Sequence, residues 1–308
     1  MIYTLTLNPA IDLFIKMNEL LPKKVNRSIY DDCQENGKGV NVSRALKRMG
    51  IDTVAMGFIA GFTGNFIKDK LEEAGIGTDF IQVDGITRIN VFLNAQEEFK
   101  IVNKGPEIPL EKTKEMLEKI KNLKKDDYLF VCGSLPRGIE DNIYEDIIKI
   151  CKEKEIKLIL DTSSKKIMEY IKYGLYLIKP NDEELAEFFE ISHKLSENEI
   201  VDCGKKLLEM GCEKIIVSRG EEGAIYFDKE NIIFVNAPKG EVVNTACSGD
   251  TFLASFIGKL CQNFSLEETI KFASASASST AFTEGITDFK NVPELMKEIT
   301  IRKIKLNN

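Results

Sequence analysis

Histidine is nearly absent from this chain of 308 residues, which contains only His193. Histidine-based catalytic triads and multi-histidine metal sites are therefore excluded, because both chemistries depend on imidazole groups. His193 itself lies in the polar segment ISHKLSENE, so we expect a solvent-exposed side chain rather than a ligand.

Paired cysteine motifs are also missing. The seven cysteines are odd in number and form no CxxC pair, which argues against zinc-ribbon and thioredoxin-type sites. We expect free thiols, several of them buried, in a reducing cytosol. The cysteines are Cys33, Cys132, Cys151, Cys203, Cys212, Cys247 and Cys261.

The chain has neither an excess of basic residues nor a long apolar run. Lys and Arg total 42 against 49 Asp and Glu, a net charge of −7, which disfavours nucleic acid as a partner but permits a small anionic substrate. No stretch approaches the roughly 18 apolar residues of a membrane span. The start, MIYTLTLNPAID, has no basic region and an early Pro9, so it is typical of a first strand rather than a signal peptide. We expect a cytoplasmic protein without a membrane partner.

What the sequence does contain is an alternation of strand-like and helix-like segments. Short apolar runs predict strands, and amphipathic stretches between them predict helices. Such alternation is typical of an α/β fold with a mainly parallel sheet covered by helices on both faces. The predicted strands are 2–7, 54–60, 128–132, 157–160, 175–178 and 214–218. The predicted helices are 40–49, 64–74, 110–123, 140–154, 183–189 and 197–210.

Two segments depart from this alternation. Residues 25–32, and the pair 87–94 and 99–103 joined by a short turn at 95–98, look like strands without crossover helices. They predict a small separate sheet laid against the main one. No linker or repeat divides the chain, so we expect one α/β domain. The Ser/Ala-rich run 273–281 predicts a closely packed helix.

The most suggestive polar motif is NTACSGD at 244–250, at the head of an apolar helical pattern. Backbone N–H groups at a helix start attract anions, and small residues let a phosphate approach closely. A carboxylate beside that anion can accept a proton from an attacking hydroxyl. The simpler interpretation is that Asp250 only caps its helix.

Other polar motifs follow predicted strands or precede predicted helices. They are NGKGVN (36–41), GSLPRG (133–138), KPNDEE (179–184) and VSRGEEG (217–223). Ligands bind at such strand ends in open α/β sheets. Each motif alone is equally consistent with a turn, a solvated lysine or a proline at a helix start. Neither a P-loop nor a GxGxxG fingerprint is present.

Taken together and in order, these motifs resemble the PfkB carbohydrate kinase family of the ribokinase-like fold. The resemblance extends over nearly the whole chain and rests on TLNPAID, GKGVNVSRAL, TRINV, GSLPRG, ILDTSS, IKPNDEEL, IVSRGEEGA and CSGDTFLASF. Among family members the chain is most similar to bacterial 1-phosphofructokinases and tagatose-6-phosphate kinases. The resemblance implies a three-layer α/β/α domain over residues 1–308, with a β-sheet lid built from strands at about 11–35 and 86–105.

The resemblance also implies residue roles. Asp250 matches the catalytic base, and the anion hole corresponds to Cys247, Ser248 and Gly249. The positions that match ATP-binding residues are Lys179, Asn181, Ser218, Arg219, Gly220, Glu221, Glu222, Gly223, Gly249 and Asp250. Mg²⁺ would be organised, largely through water, by Asn181, Glu184 and Asp161. The positions expected to bind the sugar are Asp12, Gly37, Lys38, Gly39, Asn41 and Ser134, with Arg27, Arg88, Lys104 and Arg137 as candidates for its phosphate.

One position departs from the family pattern. The glycine that usually opens the anion hole, in a Gly-Ala-Gly-Asp sequence, is here Cys247. A glycine there can adopt a positive φ or let a phosphate approach, and a side chain obstructs either. Because Gly249 and Asp250 are retained, we expect catalysis to survive.

The resulting prediction is an ATP- and Mg²⁺-dependent kinase that converts fructose 1-phosphate to fructose 1,6-bisphosphate. TRINV at 87–91 favours this substrate, whereas KGPEI at 104–108 resembles the tagatose-6-phosphate kinases. The alternatives are therefore a tagatose-6-phosphate kinase and a sugar-phosphate binder without turnover. The family also implies a homodimer formed through the lid.

Overall fold

The computed structural model describes residues 1–306, in which the strands form two sheets. The large sheet contains β1 (Ile2–Thr6), β4 (Thr53–Ala60), β5 (Gly77–Val83), β8 (Tyr128–Cys132), β9 (Lys157–Asp161), β10 (Leu175–Ile178), β11 (Cys212–Ser218), β12 (Ala224–Phe227), β13 (Asn231–Val235) and β14 (Ile301–Lys305). The small sheet, called the lid below, contains β2 (Ala10–Lys16), β3 (Tyr30–Asn36), β6 (Arg88–Asn94) and β7 (Glu98–Ile101).

The large sheet is parallel except at one edge. Its order is β14-β13-β12-β11-β10-β9-β8-β1-β4-β5, and the strands from β11 to β5 all pair in parallel. β12, β13 and β14 extend it by antiparallel pairing. From β1 the chain runs outward to β4 and β5, then returns to β8 on the other side of β1. The order therefore reverses between β1 and β8, where ligands bind in open α/β sheets.

Helices cover both faces of the large sheet. They are α1 (Lys38–Arg48), α2 (Gly61–Glu73), α3 (Leu110–Lys121), α4 (Asn142–Lys154), α5 (Ile167–Tyr170), α6 (Asp182–Phe188), α7 (Glu197–Met210), α8 (Ser248–Cys261), α9 (Leu266–Ala281) and α10 (Val292–Leu295). Alternate residues of each central strand enter opposite cores. In β8, for example, Leu129 and Val131 pack in one core, and Phe130 and Cys132 pack in the other.

The sequence predictions for this framework are largely confirmed. The predicted strands correspond to β1, β4, β8, β9, β10 and β11, and the predicted helices to α1, α2, α3, α4, α6 and α7. The Ser/Ala-rich run lies in α9, where small buried side chains such as Ala273 and Ser276 allow close packing against α8. The strands of the small sheet lie within 10–36 and 88–101.

One strand prediction was wrong at its start. Residues 25–29 are not extended into the sheet, and β3 begins only at Tyr30. The apolar residues that suggested the strand, Val25 and Ile29, are exposed in the preceding loop. β3 itself is an edge strand with a polar sequence, YDDCQEN, so its composition gave no strand signal.

The remaining sequence expectations concern single residues and the membrane. His193 is exposed and lies 2.9 Å from the Glu199 carboxylate. All seven cysteines are free, and four of them are buried. Over residues 1–306, no helix combines the length and apolarity needed to cross a bilayer.

Candidate active site

Most of the predicted site residues lie around a crevice at the carboxyl ends of β1, β8, β9, β10 and β11, beneath the lid. A cavity of about 1410 Å³ opens here, and its lining includes Asp12, Asn36, Asn41 and Cys247. A second cavity of about 510 Å³ lies beside it, between the loops that follow β8 and β9, and is lined by Ser134 and Thr162 among others. The crevice is thus at the point where the strand order reverses.

The start of α8 forms one wall of the crevice. α8 begins at Ser248, so Gly249 and Asp250 lie in its first turn, where backbone N–H groups have no partner within the helix. Cys247 precedes the helix with φ of 63°, in the left-handed region that favours glycine. Burial raises the pKa of its thiol to about 12, so Cys247 adds no negative charge to this wall.

Asp250 is almost completely buried, and the Asn41 side chain donates a hydrogen bond of 2.9 Å to its Oδ2. Burial, followed by the nearby charge of Asp161, raises the pKa of Asp250 to about 6, against the opposing effects of Asn41, Lys38 and Lys179. A carboxylate with this pKa is mostly ionised at pH 7 but basic enough to accept a proton during a reaction. That property suits a general base.

A buried carboxylate holds two lysines next to Asp250. Asp161 is 2% exposed, and its oxygens lie 3.2 Å from Lys38 Nζ and 3.7 Å from Lys179 Nζ. Burial opposes ionisation of Asp161, but the two lysines outweigh it and lower its pKa. Burial likewise opposes the charge on Lys38, but Asp161 and Asp250 outweigh it and raise that pKa. Two ammonium groups are therefore fixed in the crevice.

Lys179 also lies close to the anion hole. A Cβ atom added at Gly249 would be 3.1 Å from Lys179 Nζ, a contact tighter than most real Cβ contacts. The glycine thus lets a cation and the first turn of α8 face the same small volume. An anion placed there would meet positive charge on two sides.

Asn181 and Glu184 form a capping box at the start of α6. Asn181 Oδ1 accepts from the Glu184 N–H at 2.7 Å, and Glu184 Oε2 accepts from the Asn181 N–H at 3.0 Å. The NxxE pattern therefore has a complete structural explanation in this chain. The second carboxylate oxygen of Glu184 is not used by the cap, so a metal role is compatible with it.

The residues present fit a Mg²⁺ ion that is held mainly by phosphates and water. Within residues 1–306 no group of three or more His, Cys, Asp or Glu is arranged to hold a metal ion. Asp161 Oδ2, however, is buried and has no hydrogen-bond partner among those residues. Mg²⁺ commonly uses only one or two carboxylates together with substrate phosphates. The assignment of Asn181, Glu184 and Asp161 stays a prediction.

The turn from the lid into α1 approaches β1 closely. A Cβ at Gly37 would lie 2.6 Å from Thr6 Cγ2, and one at Gly39 would lie 2.5 Å from Thr6 Oγ1. Gly37 also has φ of 141°, which side chains disfavour. The two glycines explain the GKG pattern, because they let α1 begin directly over β1 and place Lys38 and Asn41 in the crevice.

A chain of amides connects the lid to Asp250. Asn90 Nδ2 donates to Asp12 Oδ1 at 2.8 Å, and Asn36 Nδ2 donates to Asp12 Oδ2. Asn41 Nδ2 then donates both to Asn36 Oδ1, at 3.0 Å, and to Asp250. Burial raises the pKa of Asp12, against the hydrogen bonds from the two amides. Asp12 and Asn41 are thus linked through Asn36, and their roles in sugar binding stay a prediction.

Three of the four cations proposed for the sugar's phosphate lie around the segment 103–105. Arg88 donates to the backbone oxygens of Asn8 (2.8 Å) and Asn103 (3.2 Å), and Arg137 donates twice to Gly105 O. Lys104 lies between these acceptors and is exposed. Arg27 is separate, exposed in the loop between β2 and β3. Each terminal nitrogen of Arg88 uses one of its two hydrogens in these contacts, so N–H groups are left for a phosphate.

The loop after β11 carries the other residues predicted to bind the nucleotide. Ser218 pairs with Asn181 across the strand ends, and its N–H donates to Pro180 O at 3.0 Å. Arg219 forms an ion pair with Glu222 and lies 3.7 Å from Glu197. A Cβ at Gly223 would overlap Val235 O, so this glycine is required by packing. The loop is completed by Gly220 and the exposed Glu221.

Sequence reasoning did not single out three asparagines in the crevice: Asn8, Asn36 and Asn90. Each lies inside a motif that was used, but an asparagine in a loop or strand carries no recognisable spacing. Four buried polar atoms of residues discussed above have no hydrogen-bond partner within residues 1–306, and each calls for a partner such as a water, an ion or a ligand. They are Asn8 Oδ1, Arg88 Nε, Asp161 Oδ2 and Ser248 Oγ.

Comparisons with known proteins find relatives over nearly the whole chain. Residues 6–292 match the model of the pfkB family carbohydrate kinases. The chain is 48% identical to D-tagatose-1-phosphate kinase of Bacillus licheniformis, covering 98% of this chain and 99% of that protein. It is 38% identical to 1-phosphofructokinase of Bacillus subtilis, covering 99% and 100%.

Solved structures give the same result for the fold. A crystal structure of a Staphylococcus aureus protein assigned as a phosphofructokinase superposes with a TM-score of 0.90 at 35% identity, over 100% of both chains. Phosphofructokinase-2 of Escherichia coli in complex with fructose-6-phosphate superposes with a TM-score of 0.88 over 96% of this chain and 98% of its own. Its 24% identity supports the fold alone.

Proposed function

Because the chain belongs to the pfkB family of carbohydrate kinases, we propose that it transfers the γ-phosphoryl group of ATP to the C6 hydroxyl of a ketohexose 1-phosphate. The observation that carries this proposal is the position of Asp250. It lies in the first turn of α8, receives a hydrogen bond from Asn41, and has two lysines nearby.

In the proposed reaction, Asp250 accepts the proton of the attacking hydroxyl on its carboxylate. Asn41 keeps that carboxylate oriented through Oδ2. The N–H groups at the start of α8 and the ammonium groups of Lys38 and Lys179 stabilise the charge on the transferring group. Phosphoryl transfer depends mainly on such positioning and charge neutralisation, and needs little covalent participation from the protein.

The nucleotide is proposed to bind along the loops that follow β10 and β11, with its phosphates directed toward Lys179 and Gly249. A Mg²⁺ ion bound with ATP would supply charge neutralisation between the phosphates. Asn181, Glu184 and Asp161 are the residues proposed to hold its water shell. The capping box supports this part, because it fixes Asn181 and Glu184 rigidly at the edge of the crevice.

The substrate assignment rests on the separation of two polar regions. Hydrogen bonds link Asp12 to Asp250 through Asn36 and Asn41. On its other side Asp12 is bonded to Asn90, which accepts from the N–H of Asn103, and the Asn103 oxygen accepts from Arg88. A sugar bound at Asp12 with its phosphate among these cations would turn its opposite end to Asp250. If that phosphate is on C1, the C6 hydroxyl is the acceptor.

Two sugars meet this description. Fructose 1-phosphate is the first candidate, favoured by the lid strand that carries Arg88. D-tagatose 1-phosphate differs only at C4 and is the second candidate, because the relative with 48% identity is named for it. Tagatose 6-phosphate is the alternative with the phosphate at the other end, supported by the 31% identity to a tagatose-6-phosphate kinase of Staphylococcus epidermidis.

The test is ADP release measured over a panel of fructose 1-phosphate, D-tagatose 1-phosphate, tagatose 6-phosphate and fructose 6-phosphate. We expect the two 1-phosphates to have the highest kcat/KM, since that ratio reports transition-state stabilisation. A higher kcat/KM for either 6-phosphate would overturn the proposed position of the substrate phosphate, but the protein would still be a sugar-phosphate kinase. Tight sugar-phosphate binding without any ADP release would instead support the binder.

We also propose that the chain works as one domain and dimerises through the lid. β1, near the start of the chain, and β14, near its end, belong to the same sheet, which supports the single domain. One lid face carries aligned apolar side chains from neighbouring strands, and Phe99 and Ile101 on it are 40% and 53% exposed. Covering this face with a second lid would remove apolar surface from water. Sedimentation velocity of the wild type and of Ile101→Glu tests the dimer. We expect the wild type to sediment as a dimer and the variant as a monomer.

A further inference from the structure

The last residue of the lid strand β3, Asn36, lies where the chain leaves the lid and enters the body. The next residue is the turn glycine Gly37, and α1 begins at Lys38. Asn36 is half-buried and lines the main cavity. No role was assigned to it above, because it neither carries a charge nor belongs to a recognised ligand set.

Every polar atom of the Asn36 side chain has a partner. Its Nδ2 donates to Asp12 Oδ2, and its Oδ1 accepts from Asn41 Nδ2 at 3.0 Å and from the Gly37 N–H. The amide can form this set in one orientation only, because Nδ2 must face the carboxylate and Oδ1 must face the donors. Asn36 is thus the only direct side-chain connection between Asp12 and Asn41 among the described residues.

The two partners of Asn36 act on opposite parts of the reaction. Asp12 is the carboxylate proposed to accept a sugar hydroxyl, and its other oxygen is held by Asn90 at 2.8 Å. Asn41 uses its remaining hydrogen to bind Asp250 at 2.9 Å. The two amide hydrogens of Asn41 are donated to Asn36 and Asp250, so a rotation of this amide would break both hydrogen bonds. The position of Asp250 therefore depends on the position of Asn36.

We propose that Asn36 is a positioning residue that sets the distance and orientation between the sugar-binding carboxylate Asp12 and the base Asp250. The inference rests on the proposed function and goes beyond it, since it makes a neutral amide at the junction of lid and body a determinant of sugar-phosphate binding. A lid that moves away carries Asp12 and Asn36 with it and releases Asn41, so Asp250 is correctly held only when the lid is in place.

The test compares two substitutions. They separate the hydrogen bond that Asn36 donates to Asp12 from the space that its side chain fills. Asn36→Asp keeps the shape and the acceptor for Asn41 but replaces the donor to Asp12 with a second carboxylate. Asn36→Ala removes the whole side chain. At pH 8 the proposal predicts that Asn36→Asp is the more damaging, with sugar-phosphate KM raised about tenfold or more and ATP KM unchanged. A space-filling role predicts the opposite order.

The matched control is Asn122→Asp, which adds the same charge to an exposed position at the end of α3, on the connection that leads into the amino end of β8. It should leave both KM values and kcat within about twofold, and thermal unfolding should show all three variants folded. Fructose 1-phosphate and D-tagatose 1-phosphate serve as the substrates. An unchanged sugar-phosphate KM in Asn36→Asp, with the wild type active, overturns the proposal.

Calorimetric titration of the same sugar phosphates, without ATP, separates this inference from the proposed reaction. If the wild type binds a sugar phosphate but does not release ADP, the proposed reaction fails, and the loss of affinity in Asn36→Asp still decides the role of Asn36. If neither variant weakens binding, or the wild type binds none of these sugars, Asn36 has no such role.

Discussion

The two sides of the crevice are held together by different chemistry. On the proposed phosphoryl side, Asp161 fixes Lys38 and Lys179 through charge. Asp161 and Lys179 lie at strand ends of the large sheet, and Lys38 begins α1. On the proposed sugar side, Asp12 is held by the neutral amides of Asn36 and Asn90, and the residues come from the lid.

The difference corresponds to the two tasks. Stabilising a transferring phosphoryl group requires strong charge in a fixed place, which a buried ion pair on a rigid sheet provides. Recognising a sugar requires directional hydrogen bonds that distinguish hydroxyl positions, and neutral amides provide these without attracting every anion. Asn41 and Asp250 lie where the two sides meet.

The largest effect is expected at that meeting point. Asp250→Asn should lower kcat by at least about 10²-fold, the usual contribution of a general base, while the binding of ATP and sugar phosphate changes little. Single-turnover phosphoryl transfer measures this directly. Near-normal kcat in the purified variant would remove Asp250 from the role of base.

The pH dependence of the same variant gives an independent check. The wild-type kcat/KM should fall about tenfold per pH unit below the Asp250 pKa of about 6, and the Asn variant should lack this step. Because folding raises this pKa, Asp250 stabilises the fold at low pH and that stability is lost as pH rises through about 6. Asp250→Asn should therefore unfold at a higher temperature than wild type at pH 7, with a smaller difference at pH 4.

The next largest effect tests the phosphoryl side alone. Asp161→Asn removes the charge that holds Lys38 and Lys179, so we expect kcat to fall by about 10- to 100-fold with the sugar-phosphate KM nearly unchanged. Asp52→Asn is the matched control, since Asp52 pairs with Lys47 on the surface. A rise in sugar-phosphate KM equal to the loss in kcat would mean that the two sides are not separable.

The sugar side is tested by Arg88→Ala. Loss of a charged hydrogen-bonding group should raise the sugar-phosphate KM by about tenfold and leave the ATP KM unchanged. Arg302→Ala, which removes an exposed ion pair with Glu197, is the control. If sugar-phosphate affinity is unaffected, Arg88 serves only to tie the lid to the backbone at Asn8 and Asn103.

The smallest effect is expected at Cys247. Cys247→Gly should retain or slightly raise kcat and should stabilise the fold by at most about 1 kcal/mol, because it relieves a positive φ but adds freedom to the unfolded chain. Glu190→Gly relieves a similar φ of 56° on the surface and should change stability without changing kcat. A collapse of kcat in folded Cys247→Gly would mean that the cysteine is adapted to this site.

The body of the fold could be predicted from the sequence because its central strands are buried on both faces and read as apolar runs. The runs at 128–132 and 157–160 are examples, and polar residues follow such runs at the crevice. β5 and the antiparallel strands β12–β14 were not predicted. β5 and β14 are edge strands with many exposed positions, which weakens their strand signal. β12 and β13 are interior strands of only four and five residues, so their apolar runs are short.

The candidate site could be predicted only in part, for a related reason. Gly37, Gly39 and Asp250 belong to motifs with recognisable spacing, whereas the bonds of Asn36 and Asn90 to Asp12 depend on strand register in the lid. The register that sets Asp12 beside Asn90 links residues far apart in the chain, and no local pattern encodes it. Likewise, no sequence pattern indicated that backbone oxygens accept hydrogen bonds from the terminal nitrogens of Arg88.

The strand β14 has a consequence for the solubility of the protein. β13 carries the buried residues Ile232, Ile233 and Phe234. β14 pairs with its outer side and forms hydrogen bonds with the backbone groups there. β14 in turn forms the outermost edge, where it exposes Arg302, Lys303 and Lys305. Charged side chains on an edge strand discourage pairing with another chain. Protection of this edge of the large sheet therefore depends on five residues far from the crevice, and substitutions there can change the yield of folded protein without altering its chemistry.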